Sequence, residues 1–182
     1  LFNLDLSLEW DARNDGLFMQ ELDNALRRSS EVLYDVTDGQ VALGEITVHQ
    51  AKERWMGADI VLYARNDMRP RANTGGIVIT QTHDIFWNTQ SITQTKPNAY
   101  LPGHIRMGPN WDPFGQSQAE LTQDWWRTLA HELAHYLLFL PDNYLGVEDN
   151  MIRQIDCKGS FMTNSYDSCL LYTSDAADEW LR

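Results

Sequence analysis

The chain has 182 residues with 43% hydrophobic content, enough to bury a core without staples, and reads as one globular unit or one unit with a small lobe. Its 14 Lys and Arg stand against 26 Asp and Glu, a formal net charge of -12 that repels phosphate backbones, so nucleic acid is not expected as a partner. No apolar run reaches about eighteen residues, which argues against membrane insertion. The N-terminus, Leu1-Phe2-Asn3-Leu4, lacks the basic start of a signal peptide, and the chain is expected to be a domain excised from a larger protein.

Asn3 to Trp10 alternates, with Leu4, Leu6 and Leu8 on one side and Asp5, Ser7 and Glu9 on the other, the pattern of a strand with one buried face. Asn14 or Asp15 then caps a helix whose apolar stripe is Phe18, Leu22, Ala25, Leu26, Ser29, Leu33 and Val36, stopped at Gly39. Val41 to Gln50 and Asp59 to Arg65 are rich in β-branched residues and read as inner strands, joined by a charged turn from Ala51 to Gly57. His49 is read as an ordinary strand residue.

From Asn66 to Thr74 the chain is polar and broken by Pro70, and Gly75 to Thr80 then suits an edge strand. Gln81 to Gly103, polar with Phe86, Trp87 and Tyr100 set in it, is expected to be a long surface loop or hairpin. His83 and His104 are spare histidines in this region and are not expected to touch a metal. His104 to Gly108 is a last short strand, Pro109 to Gly115 a turn, and Ser117-Gln118-Ala119-Glu120 a capping box that opens a second helix. The order is therefore strand, helix, four strands, helix. Beyond Asp142 there is no strong periodicity until a short helix over Asp175 to Leu181.

The second helix carries the chemistry. His131-Glu132-Leu133-Ala134-His135 is the pattern H-E-x-x-H, which puts two imidazoles on one helical face, with a carboxylate one step round that can reach a water on a shared zinc ion. Its neighbours Trp125, Trp126, Leu129, Ala130, Leu133, Ala134, Leu137 and Leu138 place that helix in a core. Catalytic zinc takes three protein ligands, and Asp142, past the helix-ending Pro141, is the first candidate for the third; Asn143, Asp149 and Asp156 are weaker ones. Cys157 and Cys169 lie twelve residues apart in a loop-like stretch, and a disulfide between them, worth about 3 kcal/mol in the chain-entropy model, points to an exported, extracellular protein.

This order of elements, followed by a zinc helix and an irregular C-terminal lobe, resembles the metzincin clan of zinc peptidases. The resemblance implies an α/β fold: a twisted, five-stranded, mostly parallel sheet with one antiparallel edge strand, and two long helices. It also implies an N-terminal subdomain over residues 1–140 and a C-terminal one over 141–182, together one catalytic domain. A metzincin Met-turn under the metal is matched by Gly159, Ser160 and Met162 in Cys157-Lys158-Gly159-Ser160-Phe161-Met162. The usual extension H-E-x-x-H-x-x-G-x-x-H is not present, because Leu138 and Pro141 stand at its glycine and third histidine.

A longer form, H-E-x-x-H-x-x-x-G-x-x-D-E, belongs to the peptidase-like domain of the chloride channel accessory family. His131, Glu132, His135 and Asp142 fall on its two histidines, its general base and its acidic ligand. Phe139 replaces its glycine and Asn143 its last glutamate. A left-handed turn costs nothing at glycine and strains a phenylalanine, so the path to Asp142 is expected to be built differently here.

The implied function is zinc-dependent hydrolysis of peptide bonds by a monomer, with Glu132 as general base. Tyr144 and Tyr166 are candidate oxyanion donors, more simply read as packed on the lobe. The alternative is a zinc-stabilised interaction module of a larger surface protein. Asp and Asn over Leu140 to Asp156 offer a further, weaker expectation of calcium, without its regular loop spacing.

Overall fold

The computed structural model describes residues 1–65, 68–79, 98–110, 121, 123–142, 145–148, 151–154 and 161–162. The elements are β1 (Phe2–Leu8), α1 (Gly16–Val36), β2 (Leu43–His49), β3 (Ile60–Leu62), β4 (Arg71–Ile79), β5 (Asn98–Met107), α2 (Gln123–Leu138), β6 (Leu145–Glu148) and β7 (Met151–Gln154). Five strands form one sheet in the order β2-β1-β3-β5-β4, parallel except for β4, which runs antiparallel to β5 at the edge. The described residues thus form an α/β fold, a mostly parallel sheet with two helices. β6 and β7 pair as a separate hairpin that the aperiodic sequence beyond Asp142 did not announce.

Strand register carries the alternation of β1 across the whole sheet. Val48, Leu6, Ile60, Ile105 and Ala72 stand side by side in one row, facing the helices, and Leu6, Ile60 and Ile105 are fully buried there. The adjacent row on the other face is His49, Ser7, Val61, Arg106 and Arg71. Ser7 was expected to meet solvent on that second face, yet it is buried, because the connection from β2 to β3 crosses over β1 and takes the Ser7 hydroxyl on the Glu53 carbonyl at 2.7 Å. A hydroxyl is buried without penalty when it finds such a partner. The crossing turn bends through left-handed backbone at Ala51, Lys52 and Arg54.

α1 opens where its cap was expected, with the Asp15 carboxylate accepting the Phe18 N–H at 3.0 Å. Its buried stripe is Leu22, Ala25, Leu26, Ser29, Val32 and Leu33; Val36, assigned to that stripe by spacing, is exposed because the helix ends there and Thr37 caps it. α2 packs against α1 and buries Trp125, Leu129, Ala130, Leu133 and Ala134. The Trp125 indole donates to the Gly108 carbonyl at 2.9 Å, which ties the start of α2 to the end of β5.

Several strand boundaries differ from the sequence reading: β3 shortens to Ile60–Leu62, and β2, read as an inner strand, pairs only with β1 and lies at the sheet's other end. β4 begins at Arg71 rather than Gly75, and β5 begins at Asn98 rather than His104, because antiparallel pairing between them supplies hydrogen bonds that neither the polar stretch 71–74 nor the Pro102-Gly103 break in 98–103 advertises. The capping box at 117–120, Phe86, Trp87, His83, the cysteines 157 and 169, Asn143, Tyr144, Asp149, Asp156, Tyr166 and the helix expected over 175–181 lie outside the described residues. Among the described residues no helix is long and apolar enough to cross a membrane.

Candidate metal centre

One turn of α2 places the His131 and His135 rings edge to face, 4.7 Å between centroids, with their Nε2 atoms 3.1 Å apart. Asp142 Oδ1 lies 3.2 Å from the first nitrogen and 3.1 Å from the second, so the three atoms form a nearly equilateral triangle. Each ring's other nitrogen meets a backbone carbonyl: His131 Nδ1 that of Phe161 at 3.3 Å, and His135 Nδ1 that of Leu140. A carbonyl only accepts, so each Nδ1 is the donor to its carbonyl, and the tautomer that bears its single hydrogen there turns the Nε2 lone pair inward.

In that tautomer two nitrogen lone pairs and a carboxylate oxygen converge, an arrangement that suits a cation. Protonation of His131 is disfavoured, since burial and then the neighbouring His135 push its pKa below the ordinary value. A metal ion suits the donor set better. Ligands about 2.0–2.1 Å from one tetrahedral ion are separated by roughly 3.3 Å, close to the edges observed. Among the described residues, His131, His135 and Asp142 are the group that could hold a metal ion.

The route from His135 to Asp142 is set by one residue. Phe139 has φ 57°, its N–H still bonded to the His135 carbonyl at 3.1 Å, and the Leu140 N–H reaches back to the Ala134 carbonyl at 3.3 Å. This is a left-handed helix end of the kind glycine normally makes. The expectation of a differently built turn is thus corrected: phenylalanine occupies the same conformation, and the reversal aims the Leu140 carbonyl at His135 and the Asp142 carboxylate at both imidazoles. Phe139 is 71% exposed, so little packing offsets its strain. Phe139→Gly is expected to raise stability by about 1 kcal/mol in urea unfolding of the metal-free protein, with the metal site kept. A loss of stability would mean that the ring contributes contacts exceeding the strain.

Glu132 is 8% exposed, and its Oε2 accepts the N–H of Ala72 on β4. Burial pushes its carboxyl above the usual range, while that N–H and the Arg69 charge oppose the rise. The Tyr136 hydroxyl donates to Asp59 Oδ1 at 2.6 Å, and Asp59 Oδ2 takes the Asp5 N–H at 2.8 Å, which pins the last turn of α2 to the sheet. Phe161 and Met162 are buried in the core cluster, with the Phe161 ring 5.9 Å from that of His131.

The expected residues His131, Glu132, His135 and Asp142 are therefore brought together, with Met162 buried in the core beside Phe161. His49 is held by Asp5 Oδ1 at 2.9 Å on the far face of the sheet, and His104 pairs with Asn73 on β5 and β4, so neither joins the group. The Ala72 N–H and the Leu140 and Phe161 carbonyls were not foreseen. They are main-chain groups, and no side-chain type signals them. Comparison with known proteins finds no matching family model, no similar curated protein and no similar solved structure.

Proposed function

We propose that the protein is a zinc-dependent endopeptidase of metzincin type, with His131, His135 and Asp142 holding the metal and Glu132 acting as general base. The observation that carries this reading is the convergence of three lone pairs, one turn and one reversal apart, beside a buried carboxylate. Two imidazoles, one carboxylate and short edges suit zinc better than calcium or magnesium, which favour oxygen ligands. When bound, zinc supplies a Lewis acid and makes a water acidic enough to react near neutral pH.

Everything else falls to the chain. The Leu140 and Phe161 carbonyls fix the tautomer and tilt of the two imidazoles. Glu132 takes the proton of the attacking water and passes it to the leaving amine, a task its raised pKa favours. β4, the exposed edge that reaches Glu132 through Ala72, offers main-chain groups to an extended peptide. The five-stranded sheet with its antiparallel edge is compatible with the metzincin resemblance, as is buried Met162.

The test is metal content by elemental analysis, with casein cleavage measured on the same samples. One zinc per chain is expected, lost from both His135→Ala and Asp142→Ala, with cleavage lost alongside. No zinc after reconstitution, or zinc retained by both variants, would overturn the reading; zinc without any cleavage would favour a metal-stabilised interaction module.

A further inference from the structure

The chain is rich in carboxylates, and among the described residues five basic side chains lie against one. Arg13 pairs with Asp11, Arg27 with Asp23, Arg28 with Glu31, Lys52 with Glu9, and Arg54 approaches Asp5. Arg69, Arg71 and Arg106 differ. All three are exposed, and none takes part in an ion pair among the described residues.

Their placement is costly to the fold. Arg71 on β4 stands directly opposite Arg106 on β5, at the sheet-edge end of the row His49, Ser7, Val61, Arg106, Arg71. Side chains in that relation start about 4.5–5.5 Å apart, and like charges there repel. His104, two residues from Arg106 on the same face, has its pKa lowered by burial and then by the Arg106 charge, so it does not relieve the excess. With 26 acidic residues in the chain, a carboxylate at either position would have removed the repulsion.

Two of them also flank the stretch of chain that meets Glu132. Arg69 and Arg71 bracket the buried Pro70, and the next residue, Ala72, is the one whose N–H holds Glu132. We infer that Arg71 and Arg106, on the sheet face away from α2, form with the neighbouring Arg69 an anion-recognising edge, which selects peptides carrying an acidic side chain. This deepens the peptidase reading and rests on a peptide lying along β4. A strand added to that edge presents alternate side chains to the two faces of the sheet, and those on the far face become cross-strand neighbours of Arg71. Two guanidinium forks side by side match a carboxylate, which can accept from both. A lysine at the same position is repelled. The overall charge of -12 works against acidic peptides at long range, but that field is screened beyond roughly 10 Å while contact pairs persist.

The test uses the zinc-loaded protein and uncleavable tetra-alanine hydroxamates in which Glu, Gln or Lys is walked through each position, with binding read by calorimetry. At one or more positions Glu is expected to bind about tenfold tighter than Gln, and Lys weaker than Gln. The Glu preference is expected to fall below about twofold in Arg71→Gln and to shrink in Arg106→Gln, while the melting temperature stays level or rises as the like-charge contact is relieved. Equal binding of Glu and Gln peptides at every position, or a Glu preference that survives Arg71→Gln, would overturn the inference and leave the peptidase reading standing. A Glu peptide lacking the hydroxamate serves as the second arm. If it binds in an Arg71-dependent way while no hydroxamate gains affinity from zinc, the basic edge stands and the peptidase reading falls; if neither probe binds, both fall.

Discussion

Glu132→Gln in the zinc-loaded protein is expected to lower peptide hydrolysis by a factor of about 10²–10⁴ and to leave one zinc per chain. Glutamine has the volume of glutamate, and its amide oxygen can still accept the Ala72 N–H, so β4 has no reason to move. The variant therefore removes one property, the ability to take up a proton. Because Glu132 is not among the three converging donor atoms, metal content isolates its role from that of the ligands. Cleavage of casein or of a peptide library, measured beside elemental zinc, is the readout. A variant that loses zinc as readily as His135→Ala would make Glu132 part of the metal site, and one that keeps full activity would sink its assignment as base.

Gly103→Ala is expected to destabilise the fold by about 3 kcal/mol. A Cβ built at Gly103 would lie 2.1 Å from the Asn73 carbonyl oxygen, 2.5 Å from the Thr74 carbonyl carbon and 2.7 Å from the Gly75 nitrogen. All three are backbone atoms of β4, so no side chain can swing aside and the strand itself must shift. β4 also carries Ala72, and the Gly103 carbonyl lies 3.5 Å from the Tyr136 hydroxyl, so the substitution disturbs the edge that meets Glu132 and the anchor of α2 together. Urea unfolding of the metal-free protein gives the stability, and zinc affinity measured on the same variant reports whether the disturbance reaches the site. A cost below about 1 kcal/mol would mean that β4 yields easily and that the close approach is not what holds it.

What could be read along the chain was whatever repeats locally. The H-E-x-x-H spacing determined which residues share a helical face, because 3.6 residues per turn is a property of any helix. The Asp15 cap, the Leu4-Leu6-Leu8 alternation and the Pro141 stop rest on the same kind of short-range rule, and they located α1, β1 and the end of α2. Asp142 was reachable as a candidate because a carboxylate just past a helix end has few places to go.

The rest depended on pairing between residues far apart in sequence. The order β2-β1-β3-β5-β4 follows from which strands crossovers bring together, and only that order reveals Ser7 as buried, Arg71 as opposed to Arg106, and Ala72 as the partner of Glu132. Phe139 shows the limit most clearly. Its intrinsic preference argued against a left-handed turn, yet the structure adopts one at φ 57°, and it is the turn that delivers Asp142 to the two histidines. Local propensity amounts to about 1–2 kcal/mol per residue, small enough for tertiary contacts to override. Side-chain identity therefore determined which groups were available to the site, while the main-chain carbonyls and N–H groups that orient them became visible only in three dimensions, since every residue type carries the same backbone.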